Sequence, residues 1–409
     1  MDTREVRPLA ASERLVLMDG LRGFALLGIL LVNLRGMSAP SMAFGEFSIW
    51  TGGLERSVVL LSAYLLDGAF WTLFAMLFGA GFSIMLGITG PRSRPLGLGA
   101  YYRRLLGLAI FGFLHVWLLW FGDILMIYAA CGMVLPLFRH CRLKTLLVWA
   151  FALMALPLAF SILLSSAGQM ADPETLAQWA AEYANTTRIW IDFLIDGYGR
   201  ASFWEVARFR WEEYFYNFWY LIYLLPSALG VMLVGVALAR TEGFRLSRGD
   251  DRFYRRLFRW MLVPALLGKS AYVYSIWNSG EFNLGVTIAY GIGSILGGLA
   301  SAILILCLLR SLYRSGRLGW LRGGLAAAGR MALTLYLMQS LVAGLIFYGY
   351  GLGLYAQVPP QVLCFLGLLI FSGQVFFAKC WFRRFRQGPL EFLLRRLTYL
   401  ILTKGHKHG

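Results

Sequence analysis

The stretch LGVTIAYGIGSILGGLASAILILCLL, residues 284–309, runs its whole length without an Asp, Glu, Lys or Arg. A helix rises about 1.5 Å per residue, so roughly 20 such residues cross a hydrocarbon core about 30 Å thick. Outward from it, comparable apolar runs lie near 20–40, 57–88, 105–121, 123–138, 145–165, 218–239, 258–277, 329–349 and 358–380. None is broken by turn signals at strand spacing, which selects helices over a β-barrel. The 409 residues are 59% hydrophobic and only 14% charged, which excludes a soluble domain. The expected fold is all-α, a polytopic integral membrane helix bundle of about ten transmembrane helices.

A formal charge of +17 would suit a nucleic-acid partner if it were spread over one face. Instead it alternates between loops. Arg4, Arg7 and Arg14 precede the first run; Arg92, Arg94, Arg103 and Arg104, then Arg139, Arg142 and Lys144, follow in every second connection. The pattern continues through 240–259, Arg310 to Arg322 and 379–407, while the intervening loops hold Glu46, Glu55, Asp172, Glu174, Asp192 and Glu205. By the positive-inside bias both termini are cytoplasmic, and the charge is a topology signal with no nucleic acid implied. Cys131, Cys141, Cys307, Cys364 and Cys380 lie within spans or at their cytoplasmic ends, so no structural disulfide is expected. Ser41-Met42-Ala43 mimics a signal-peptidase site, but the acid-containing leader and Arg35 favour retention of the first helix.

The chain reads as one bundle over 1–400 with a cytoplasmic tail over 401–409. Its one long connection is the extracytoplasmic segment 166–217. Asp172-Pro173-Glu174 predicts an N-cap with Pro in the first turn; Gly197 and Gly199 predict a break; Ser202-x-x-Glu205 is a capping box opening a second helix. Trp179, Trp190, Trp204, Trp211 and Trp219 suit the headgroup level, so these amphipathic helices should lie over the outer mouth, as a lid or as an anchor to membrane lipids. The run from 57 to 88 is too long for one straight helix and should turn at Asp67-Gly68. His406 and His408 fall in the solvated tail, and no metal site is expected.

His115 is the one histidine inside a predicted span, about 15 Å in, and a membrane-embedded ionisable group is costly enough to suggest function. It suits deprotonation of an acceptor or brief carriage of an acyl group; packing against a neighbouring carbonyl is the plainer alternative. Asp123 follows at an outer hairpin beside Gly122. On one continuous helix the two would stand about 12 Å apart, so they form a direct pair only if the helix breaks. Asp19 and Arg22 share a helix face as an ion pair or cap, and Lys269 needs a partner, for which Asp67 or Asp123 are the candidates. Gly79-x-Gly81, Gly291-x-Gly293 and Gly297-Gly298 follow no strand, and read as close helix contacts.

Several motifs recur together: Asp19-Gly20-Leu21-Arg22-Gly23 leading to Val32-Asn33, Leu77-Phe78-Gly79-Ala80-Gly81-Phe82, and Tyr101-Tyr102-Arg103-Arg104 leading through His115 to Gly122-Asp123. Gly329-Arg330-Met331-Ala332-Leu333-Thr334, with Tyr336, Gln339 and Ser340, and Gly388-Pro389-Leu390-Glu391 complete the set. The combination resembles the YeiB-like family of bacterial inner-membrane proteins, whose C-terminal half is a domain of unknown function. That family is similar to transmembrane acyltransferases such as the heparan-α-glucosaminide N-acetyltransferases. The resemblance implies an acyl-CoA donor and a catalytic role for Asn33. It also implies a His in the loop after Asn33, which residues 34–56 lack, leaving His115.

The expected function is therefore transfer of an acyl group from a cytoplasmic acyl-CoA to a glycan, lipid or small acceptor at the outer side. Asp19, Arg22, Arg103, Arg104 and Arg330, with Lys269, are the substrate-binding candidates. The arginines would form a cationic mouth for phosphates. Such a reaction requires a polar passage from that mouth to the imidazole. The alternative class is a transporter with Lys269, Asp67 and Asp123 as proton-coupled gates. A homo-oligomer is left open.

Overall fold

The computed structural model describes residues 16–40, 42–43, 49–89, 96–241, 251–279, 283–315 and 319–399. The chain runs through α1 (Val16–Ser38), α2 (Gly53–Leu65), α3 (Ala69–Met85), α4 (Leu98–Leu118) and α5 (Leu125–Val134), the last continued by a 3-10 turn over Leu135–Phe138. Next come α6 (Leu143–Gly168), α7 (Pro173–Arg200), α8 (Phe203–Tyr216), α9 (Phe218–Arg240) and α10 (Asp251–Trp277). Then follow α11 (Leu284–Ile292), a π turn over Gly293–Gly297, α12 (Gly298–Ser315), α13 (Gly319–Arg330), α14 (Ala332–Phe347), α15 (Pro360–Arg384) and α16 (Pro389–Tyr399). The protein is a helical membrane protein, and among the described residues there is no strand.

Six helical stretches among the described residues are long and apolar enough to cross a bilayer, or seven if the bent pair α13–α14 is one span, against the ten expected. The difference has local causes. The run at 123–138 is the short helix α5 with its 3-10 extension. α4 carries Arg103 and Arg104 and stops at Leu118. The span expected at 258–277 lies inside the charged helix α10. The segment at 329–349 bends by 86° around Met331.

α1 is the central helix: 61% of its apolar window is buried, against 17% for α6, whose surface is left to lipid. It packs on α3, α13, α14 and α15, while α9 lies between α3 and α6. These crossings are close because glycine stands where a side chain would collide. A Cβ on Gly79 would lie 1.9 Å from the Met232 carbonyl, and one on Gly235 would lie 2.0 Å from the Met76 carbonyl. Helices whose lipid surroundings are as apolar as their side chains gain from such contact what the hydrophobic effect cannot supply.

The expected turn in the second run is present. α2 ends at Leu65, Gly68 takes φ +75°, and α3 begins at Ala69. Both helices of the 166–217 segment begin where their capping residues predict. Asp172 accepts from Thr175 N at 2.9 Å, and Ser202 with Glu205 closes the capping box. The break expected at Gly197 and Gly199 is absent: α7 continues through both to Arg200. Isolated glycine lowers helix propensity by only about 1 kcal/mol, which packing on α8 and on the Tyr348–Tyr355 loop overrides.

Gly79→Leu should wedge α3 from α9. Overpacking of this kind costs about 1–3 kcal/mol, and the thermal unfolding midpoint in detergent should fall accordingly. An unchanged midpoint would contradict the close crossing.

Candidate functional site

α4 carries His115 one turn before its last residue, Leu118. There the helix stops: Leu119 N and Trp120 N both donate to the His115 carbonyl, each at 2.9 Å. The chain reverses through Phe121 and Gly122, and Asp123 N donates to the Phe121 carbonyl at 2.8 Å. This hairpin lays Asp123 back on the helix face it has just left. Gly112, one turn before His115, leaves the room: a Cβ there would stand 2.8 Å from Asp123 Oδ2.

The reversal brings His115 Nδ1 to 2.9 Å from Asp123 Oδ1. On the other side of the ring, Nε2 lies 2.8 Å from Ser340 Oγ. In the tautomer that carries its proton on Nδ1, the ring donates to the Asp123 carboxylate and Nε2 accepts from the Ser340 hydroxyl. His115 is 0% exposed, Ser340 1% and Asp123 8%. The order of contacts, carboxylate to imidazole to hydroxyl, is that of a serine–histidine–aspartate relay. The roughly 12 Å separation expected on a continuous helix does not apply, because the helix breaks.

Each member is held by a further contact. Asp123 Oδ2 accepts from Met126 N at 2.7 Å, in the first turn of α5. Ser340 and Tyr336 lie one turn apart on α14. The Tyr336 ring centroid is 5.0 Å from that of His115, and its hydroxyl donates to the Gly122 carbonyl at 3.3 Å. The N-terminus of α14 is tied to Glu391, whose carboxylate accepts from Leu333 N (2.7 Å), Thr334 N (3.1 Å) and Thr334 Oγ1 (2.7 Å). An acid at that terminus neutralises exposed amides and opposes the helix dipole. The two C-terminal motifs of the sequence thus meet to fix the helix that carries Ser340.

The broken end of α4 is capped from α8. Arg210, fully buried, donates to the Leu118 carbonyl at 2.7 Å and the Trp117 carbonyl at 3.4 Å, with its other amine on Tyr350 Oη at 2.9 Å. One turn on, buried Glu213 accepts from the Tyr198 hydroxyl at 2.8 Å. Burial pushes the Glu213 carboxyl up to about 8, an effect that the Tyr198 hydrogen bond opposes.

The other sequence candidates fall into two groups. Asn33 is partly buried on α1, one turn before Gly36, which abuts the Trp120 ring. Among the described residues no hydrogen bond joins Asn33 to His115. Asp19 and Arg22 pair at 3.4 Å, and the Gly81 backbone approaches the Arg22 guanidinium. Arg104 is within electrostatic reach of Arg22 and Glu391; Arg103 Nε donates to the Thr398 carbonyl at 3.0 Å. Arg330 lies 4.0 Å over the Phe382 ring and donates to the Arg386 carbonyl at 3.2 Å. These arginines gather around α16 and the chain leading into it. Lys269 is elsewhere: it donates to the Asp67 main-chain carbonyl, while the Asp67 carboxylate pairs with Arg35. Asp67 is thus its partner, through the backbone, and Asp123 is not.

The polar passage expected between the basic end and the imidazole is not open. His115 has no exposed surface, and an open cavity of about 300 Å³ lies instead between α7 and the 355–357 loop, lined by Asp192, Asp196, Arg200 and Tyr355 but by none of the three relay residues. Sequence reasoning also missed Ser340, Arg210 and Glu213. Ser340 stood inside a quoted motif, and an apolar helix holding Tyr336, Gln339 and Ser340 on one turn was the available signal. Arg210 and Glu213 looked like ordinary charges of an amphipathic surface helix.

The fold and this site define a helical membrane protein with a buried serine–histidine–aspartate relay. Residues 238–401 match the family described as "Protein of unknown function (DUF418)". That region contains Ser340 and Glu391 but not His115 or Asp123. The chain is 31% identical to the "Uncharacterized protein YxaH" of Bacillus subtilis (strain 168), over 97% of this chain and 96% of the relative. It is 29% identical to the "Uncharacterized protein YeiB" of Escherichia coli (strain K12), over 94% and 96%. It is also 28% identical to the "Uncharacterized 39.9 kDa protein in amylase 3'region" of Bacillus acidopullulyticus, over 96% of each. The chain belongs to this YeiB-like DUF418 family. No solved structure matches it.

Between the ordinary glutamate value of 4.5 and about 8, the unfolded chain has released the Glu213 proton while the folded protein retains it. Binding fewer protons when unfolded means that stability falls as pH rises through this window. Glu213→Gln should remove that loss, so thermal midpoints of variant and wild type should diverge from pH 5 to pH 8, with the variant higher at pH 8.

Proposed function

We propose that this protein is a membrane-bound acyltransferase in which Ser340 is the nucleophile, His115 the general base and acid, and Asp123 the group that orients the imidazole. The observation that carries this reading is the continuous hydrogen-bonded chain from Asp123 through His115 to Ser340 in an apolar interior. Hydroxyl, imidazole and carboxylate are costly to bury, and this order is the one acyl transfer uses. In the first half-reaction Ser340 Oγ adds to the acyl carbonyl carbon as its proton passes to His115 Nε2. The bond from acyl carbon to thioester sulfur then breaks, and the leaving thiol takes the proton. In the second half-reaction an acceptor hydroxyl gives its proton to His115 Nε2, and its oxygen joins the acyl carbon. Ser340 Oγ departs and recovers the proton.

The donor is an acyl-CoA-type thioester from the cytoplasm, its phosphates met by Arg22 and Arg104 with Arg103 and Arg330 nearby, and both chain termini are cytoplasmic at a bacterial inner membrane. α14 begins at this basic end, and Ser340 lies about 12 Å along it at 1.5 Å per residue, a path the acyl-bearing arm would follow. The acceptor is a glycan, a lipid or a small molecule with a hydroxyl at the far side. Since the relay is sealed, turnover requires a local opening, and the Arg210 cap on α4 controls the hairpin that seals it.

A second reading, proton-coupled transport, draws on buried Lys269 and partly buried Arg35 and Asp67 beside the π turn, since intramembrane charges mark ion pathways. It leaves the Ser340–His115–Asp123 geometry without a role.

Purified wild-type protein should acquire label from acyl-radiolabelled acetyl-CoA or from p-nitrophenyl butyrate, with the adduct on Ser340. Ser340→Ala and His115→Ala should lose turnover by roughly 10³-fold or more while remaining folded at the assay temperature, with His115→Ala unfolding at a lower midpoint because it strands a buried carboxylate. Wild-type turnover by Ser340→Ala would overturn the proposal. Solute uptake by proteoliposomes lacking any acyl donor, abolished in Lys269→Met and intact in Ser340→Ala, would favour transport.

A further inference from the structure

Among the described residues, the side-chain polar atoms of the three relay residues and of Tyr336 are all engaged, whereas that of Trp120 beside the imidazole is not. Both His115 nitrogens, both Asp123 oxygens, Ser340 Oγ and the Tyr336 hydroxyl have partners. Trp120 Nε1 is buried and has none, and the residue is only 7% exposed. An indole N–H can only donate, and a buried donor left unpaired opposes folding. A buried donor without a partner needs an explanation.

Its place in the fold supplies one. Trp120 lies in the turn that creates the relay: its backbone N–H is bonded to the His115 carbonyl at 2.9 Å, and its ring stands against the imidazole in a T-shaped contact, centroids 6.4 Å apart. The indole is wedged from two sides. A Cβ on Gly122 would lie 2.4 Å from its ring, and one on Gly36 would lie 3.4 Å from it. The donor is therefore fixed relative to the base before any substrate arrives. When Ser340 Oγ adds to a carbonyl, negative charge develops on the acyl oxygen, and the relay itself offers no donor to receive it. Fixed donors at such an oxygen are a large part of acyl-transfer catalysis because they need no reorganisation during the reaction.

We propose that Trp120 Nε1–H binds the carbonyl oxygen of the acyl substrate and stabilises the oxyanion formed when Ser340 Oγ adds to it. Trp120 would then be a catalytic residue, taking the carbonyl of an ester or thioester. This assignment rests on the acyl-transfer reading, and no bond of Trp120 is made or broken.

The test is Trp120→Phe in the full-length protein in detergent, with p-nitrophenyl butyrate as the probe and the release of p-nitrophenol followed. The acylation rate constant should fall on the order of 10²-fold with KM little changed, as for removal of one oxyanion donor. The pH profile of acylation should stay in place, which a variant that merely displaced the imidazole would not allow. Trp120→His, which returns a ring N–H, should recover part of the rate; this variant also serves if Trp120→Phe does not fold. Wild-type acylation by Trp120→Phe, or a loss accompanied by a shifted pH profile, would overturn the role of Trp120 while leaving Ser340 in place. Failure of wild-type Ser340 to be acylated at all would overturn the acyl-transfer reading, and this assignment with it.

Discussion

The end of α4 at Leu118 is the constraint on which the site depends. A helix continued through residue 123 would hold Asp123 far from His115, each a polar group in an apolar interior with no partner. By stopping, the chain exposes carbonyls that would be as costly to bury as the side chains. Arg210 meets the Leu118 and Trp117 carbonyls, and the Leu119 and Trp120 amides meet that of His115. The same reversal places the carboxylate, seats the indole and closes the relay. Function and polar satisfaction here are one problem with one local solution.

A second dependence runs between the halves of the chain. His115 and Asp123 come from α4 and the hairpin after it, and Ser340 comes from α14. The bend at Met331 lets α14 begin inside the bundle, where its first amides would be unsatisfied without Glu391. The Gln339 amide, bonded to Gln374 at 3.0 Å, then ties α14 to α15, so the helix carrying Ser340 is held at both depth and rotation.

The charges within the bundle divide by position. Arg35, Asp67 and Lys269 satisfy one another at the break between α2 and α3, a structural arrangement in which the lysine bonds a freed carbonyl and the arginine neutralises the carboxylate. Arg22, Arg103, Arg104 and Arg330 gather at the other end of α1 and around α16, where cations outnumber the acids Asp19 and Glu391. Positive charge is in surplus at the basic end, whereas the Lys269 network is internally satisfied.

Much of the architecture was legible without coordinates, because it follows from composition and local backbone chemistry. Uncharged runs such as 284–309 determine a helical membrane protein. Gly68 determines the turn into α3, and Asp172 and Ser202-x-x-Glu205 determine where α7 and α8 begin. Paired glycines such as Gly79 announce close crossings, and a lone His115 in a span announces an expensive group with a purpose. What tertiary structure alone decided is which groups meet. Whether α4 stops at Leu118 is settled by Arg210, which is 92 residues away from it in sequence. The 225-residue gap between His115 and Ser340 closes only through the packing of α14. Helical periodicity encodes faces and ends, but it carries no record of which faces will touch.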